Sequence, residues 1–255
     1  MFNLFKKSPL LPEDTIAWLE DGFAWCLQCF GSDALQRTPL VQPSDEHFPG
    51  REKQPDAMAN LILGHVQRHA GLAHWPLQAV DRHHAELPEQ SPIAGLLTQT
   101  GTRLEIPYEP QQVAAPEVMI ANYAHALAHH LGHLAPTPPP CDAEQWPHMA
   151  ELLAVYLGFG IMLANTANPY RGGGCARCVS PAMERQGFLS EDETTYGLAL
   201  FCALKGISEK EVIPHLKSSL RPFFKKALKE VRQRQNTFSQ LQQIHSQPSL
   251  RYLAG

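Results

Sequence analysis

With 255 residues, 44% of them hydrophobic, the chain is long enough to bury a substantial core, and one domain is expected. A formal charge of −4 argues against general attraction to nucleic acid or an anionic membrane, and no apolar run reads as the roughly 18–20 uninterrupted residues that span a bilayer. Six cysteines do not make a disulfide framework in a chain of this size, and Met1 to Lys7 is too short and polar for a secretory leader, so a cytoplasmic location is predicted.

Pro12-Glu13-Asp14 opens a first helix, with Ile16, Leu19, Phe23, Leu27 and Phe30 as its apolar stripe and Gly31 as its end. Thr38 to Pro43 is bounded by prolines and predicts an edge strand or strand-like loop. Apolar residues at three- and four-residue intervals predict a second helix over 55–71, and Trp75 to Val80 alternates like a short strand. Thr102 to Tyr108 alternates too, and Pro107 marks it as an edge strand, a place where an extended peptide partner could pair. Pro116-Glu117 starts a helix that the prolines from 136 to 140 terminate.

From about Ala143 to Ala164 a nearly wholly apolar pattern predicts one buried helix, and the glycine-rich stretch from Asn168 to Gly187 predicts a loop. Ser190 and Glu193 form a capping box that launches a helix ending at Gly206, and Ser208 and Glu211 repeat the device. Phe223 to Arg234 is amphipathic and basic, a pattern whose ordinary meaning is a solvated face. The domain is therefore drawn over 1–235, with a flexible Gln/Ser-rich tail over 236–255.

The helix that begins at Pro116 carries the chemistry. Its text from Ala121 to Leu134, ANYAHALAHHLGHL, puts His125, His129 and His133 at i, i+4 and i+8 on one stripe. Two histidines one turn apart have metal-ligand spacing, because their nitrogens can converge on one Zn²⁺ at about 2.0–2.1 Å. His125 and His133 are separated by roughly 12 Å of helical rise and cannot share an ion, whereas His129 and His133 form a second pair. Histidines on an alanine-rich helix also serve simply as hydrogen-bonding groups. Cys26-x-x-Cys29 and Cys175-x-x-Cys178 would form a second metal or structural site if the chain brought them together, but the first pair falls inside a helix, where such cysteines usually pack in the core.

The segment from Val113 to about Gly206 resembles the zincin-type metallopeptidases, and more closely a group of uncharacterised bacterial zincin-like proteins. The matching text is Ala124-His125-Ala126-Leu127-Ala128-His129-His130, Leu152 to Asn165, and Arg185-Gln186-Gly187-Phe188-Leu189-Ser190. The resemblance implies zinc ligands at His125 and His129, with Glu151 as third ligand or His148 in its place. Where these peptidases carry the glutamate that serves as general base, this chain has Ala126, which cannot move a proton.

The sequence thus predicts a mostly helical α+β fold, zincin-like, with a small sheet of edge strands packed on a central His-bearing helix. Its expected function is metal or peptide binding without efficient proteolysis. The alternatives are an active zinc peptidase with a substitute base and a metal-free interaction scaffold; oligomeric state is left open.

Overall fold

The computed structural model of the chain describes residues 8–85, 103–167, 185 and 187–244. Most of these are helical, and the remainder include one two-stranded sheet, so the fold is α+β. Helix α1 (Glu13–Phe30) follows the predicted stripe: Ile16, Leu19, Phe23, Leu27 and Phe30 are all buried. Gly31, at φ 93°, ends it by returning its N–H to the Leu27 carbonyl, a backbone geometry that suits glycine. Two further helices, α2 (Ser32–Arg37) and α3 (Pro55–His69), precede the sheet.

Strands β1 (Leu77–Asp81) and β2 (Leu104–Tyr108) pair in parallel, with Leu77 opposite Leu104 and Asp81 opposite Tyr108. Leu104, Ile106 and Tyr108 point into the core, as the alternation predicted. The outer edge of β1 is closed by a side chain: the Asn60 amide donates to the Ala79 carbonyl (3.1 Å) and accepts from the Ala79 N–H (3.0 Å). On β2, strand alternation turns the backbone groups of Glu105 and Pro107 away from β1, and Pro107 has no donor to offer.

A short 3₁₀ turn at Pro110–Ala114 leads into the histidine helix α4 (Pro116–Gly132), which packs against α3 and two later helices. The long apolar stretch does not form one regular helix. It divides into α5 (Trp146–Ala154), a π turn (Val155–Phe159) and α6 (Gly160–Thr166). Gly158 takes φ 94° there, and its carbonyl accepts the Val41 N–H at 3.0 Å. The proline-bounded 38–43 segment is therefore docked on this break instead of lying in a sheet. By length and composition Trp146–Thr166 would cross a membrane, yet 94% of its most apolar window is buried within the fold, which makes it the central core element.

Helix α7 (Glu191–Lys205) begins with the predicted capping box, Ser190 Oγ accepting from Glu193 N at 3.2 Å and Glu193 Oε2 from Ser190 N at 2.8 Å. After the single turn α8 (Glu209–Val212), helix α9 (Arg221–Gln233) lays Phe224, Ala227, Leu228 and Val231 on α7 and leaves Lys225, Lys226, Lys229 and Arg232 in solvent. The segment expected to fray from Asn236 carries a further helix, α10 (Gln235–Gln243), held by buried Leu241. At the α9–α10 junction, Arg234 pairs with both Glu13 and Glu20 at 3.0 Å, tying this end of the chain to α1.

Candidate functional site

Helix α4 enters the fold with its alanines and leucines inward: Ala121, Ala124, Leu127, Ala128 and Leu131 are fully buried. That face fixes the azimuth of the histidines, which emerge along its border toward α5. His125, the first, stacks on Phe188 with ring centres 5.0 Å apart and 22° between planes. Its Nε2 lies 3.2 Å from the Pro147 carbonyl, and because a carbonyl only accepts, Nε2 carries the proton. Burial lowers the His125 pKa, with the Arg185 cation acting in the same direction and Glu151 opposing them, so the ring is a neutral donor to backbone.

Glu151 and His148, the two candidates for a third ligand, lie one turn apart on α5. Glu151 is completely buried and committed to other partners. Its Oε1 pairs with Arg185 Nη2 at 2.7 Å, the side chains being 0% and 1% exposed. Its Oε2 accepts the Phe188 N–H at 2.7 Å and the Leu189 N–H at 3.3 Å. The approach to the α7 capping box is thus pinned onto α5 by one carboxylate. His148 lies beside Phe188 (5.8 Å between ring centres), and its buried Nδ1 has no hydrogen-bond partner among the described residues.

At the C-terminal end of α4, His129 and the cap residue His133 lie 4.8 Å apart, ring centre to ring centre, and Trp146 contacts both, at 5.6 and 4.9 Å. Gly132 makes room for this indole, since a Cβ there would overlap the Trp146 ring. Burial, reinforced by neighbouring histidines, brings the pKa of both His129 and His130 down to about 4, so both rings are neutral at pH 7.

The zinc implied by resemblance can be tested against these donors. Two imidazoles bound tetrahedrally at about 2.0–2.1 Å place their ring centres about 5 Å apart. His125 and His129 are 6.4 Å apart, His125 Nε2 is engaged by Pro147, and Glu151 is neutralised by Arg185. Among the described residues no group of three or more His, Cys, Asp or Glu side chains is arranged to hold a metal ion. The predicted set of His125, His129 and Glu151 does not fit a zinc centre in this arrangement.

Of the cysteines, Cys26 and Cys29 are buried in α1; Cys29 Sγ lies 3.1 Å from Thr137 Oγ1, and burial pushes the Cys26 thiol well up from its ordinary pKa. Cys175 and Cys178 lie outside the described residues.

The residues missed in the sequence are those that occupy the ligand candidates. Arg185 and Phe188 stand in the quoted Arg185-to-Ser190 text, but nothing in their spacing pairs them with α5 and α4. A second feature was also invisible: a cleft of about 580 Å³ between α3, the first turn of α4 and the 43–52 segment. Phe48, Met58, Leu61, Ile62, Val113 and Ile120 give it an apolar lining, with Asp45, Arg51, Glu52 and Glu117 also bordering it. Its loop wall is held by α3 histidines, His65 Nε2 donating to the Pro49 carbonyl (2.9 Å) and His69 Nε2 to that of His47 (2.8 Å). No protein family, curated protein or solved structure matches this chain.

Proposed function

We propose that this chain is a non-hydrolytic binding protein on a zincin-like helical frame, with the α3/α4 cleft as the seat of an apolar ligand of small-molecule or side-chain size. The observation that carries the non-hydrolytic half is the state of Glu151, which is tied to Arg185 and to two backbone amides where a zinc hydrolase needs a free ligand. Ala126 adds to it, since loss of a positioned general base typically costs ~10²–10⁴-fold in rate. The binding half rests on size and lining: ligand pockets usually enclose about 300–1,000 Å³ and are mostly apolar with a few polar groups. Peptide addition to β2 has less support, because the outward-facing backbone there includes Pro107 and that edge is correspondingly poor in donors.

The test uses an environment-sensitive apolar dye such as anilinonaphthalene sulfonate with folded protein. Half-buried Leu61 lines the cleft, so Leu61→Arg should abolish saturable dye binding while leaving the melting temperature near that of wild type. Equal binding by both proteins would remove the cleft from consideration. In parallel, Ala126→Glu in zinc-containing buffer should produce no peptide hydrolysis; measurable turnover would restore the peptidase reading.

A further inference from the structure

Three pairs of histidines at i, i+4 spacing occur in the described residues, and their nitrogens meet different fates. On α3, His65 and His69 each donate to a loop carbonyl. In the first α4 pair, His125 donates to Pro147. The pair His129 and His133 has no hydrogen bond from either ring to any described residue, although the rings are packed in place.

We infer that His129 and His133 form a two-histidine site for a borderline divalent cation of the Zn²⁺ or Ni²⁺ class, with water completing the coordination. The geometry carries this. Their ring centres are 4.8 Å apart, close to the about 5 Å that tetrahedral binding of two imidazoles requires. The 6.4 Å between His125 and His129 is too wide without rotating a ring that is stacked on Phe188. Trp146 holds both ligand rings from one side, in the way outer groups orient ligands at metal sites. His129 lies in the last turn of α4 and His133 is its C-terminal cap, where the helix dipole favours a cation. His133 is exposed, so an ion can reach the pair from solvent and water ligands can remain on it. Imidazole donors suit Zn²⁺ and Ni²⁺ and disfavour Mg²⁺ and Ca²⁺, which take oxygen ligands. Among the described residues the pair has no third protein donor arranged with it, so the proposal is a binding site and includes no hydrolytic step.

The experiment is calorimetric titration of Zn²⁺, and separately Ni²⁺, into full-length, tag-free, chelator-stripped protein at pH 7.5. A Cys175→Ser/Cys178→Ser background removes thiolate binding from the comparison. One ion per chain is expected, with a rise in melting temperature on adding metal. His133→Ala should weaken binding by about tenfold or more while melting like its parent in chelator, and His125→Ala should bind like its parent. No saturable uptake by the parent, or undiminished affinity in His133→Ala, overturns the assignment. Loss on His125→Ala with retention on His133→Ala would also overturn it, in favour of the other pair.

Discussion

Replacing Arg185 with methionine removes the cation from a fully buried pair and leaves the Glu151 carboxylate buried with only two backbone amides to hold it. Breaking such a pair from one side typically costs about 3–5 kcal/mol, because the remaining charge has neither its partner nor water. With an unfolding entropy of about 2.1 cal/mol/K per residue near 60 °C, 255 residues give about 0.54 kcal/mol/K, so the melting temperature should fall by about 6–9 °C. The double change Arg185→Met/Glu151→Gln should recover much of this. The glutamine oxygen still accepts from the Phe188 and Leu189 amides, and no charge is left buried. Thermal and urea melts of wild type, both single variants and the double form a closed cycle from which the coupling energy follows. A fall below about 2 °C in Arg185→Met, equivalent to roughly 1 kcal/mol, would refute the reasoning. Glu151 would then be an uncommitted carboxylate, available as a metal ligand after all.

Two further outcomes follow from the histidine helix α4. His129 and His130 stay neutral down to about pH 4 in the folded chain, whereas in the unfolded chain histidine takes up a proton near pH 6.5. The unfolded state therefore binds more protons between these values, and stability is expected to decline as pH falls from about 6.5 to about 4. Urea midpoints across this range should fall less steeply for His130→Gln than for wild type; parallel curves would show that this ring titrates normally. Gly132→Ala, which in an exposed helix would stabilise by about 1 kcal/mol, should destabilise here because the new methyl displaces Trp146. Near-ultraviolet dichroism and tryptophan fluorescence should change with it, and an unaltered spectrum with a higher melting temperature would contradict the close packing of indole on α4.

Local signals were enough to place much of the helical framework. Prolines and acids at 12–14 and 116–117, the Ser190/Glu193 capping box and the glycines at 31 and 206 act within a few residues of themselves, so they read the same in the sequence as in the fold. Alternation likewise marked both strands, because a half-buried strand must show one face to the core. The sequence by itself also determined the histidine stripe, its one-turn spacing and the alanine at 126.

What each of those groups touches was decided by the tertiary structure. The break at Gly158 arises from contact with the 38–41 segment, more than a hundred residues away, and no local pattern encodes that approach. The parallel pairing of β1 and β2 joins strands more than twenty residues apart in the chain, and the Asn60 side chain from α3 closes the β1 edge. Glu151 is one letter on an apolar helix until Arg185 and the Phe188 and Leu189 amides arrive from another part of the chain. Spacing along a helix sets which side chains share a face, but long-range packing sets whether their lone pairs meet a backbone carbonyl, an arginine or solvent. For His125, His129, His133 and Glu151 that second step separates a polar group engaged within the fold from a ligand.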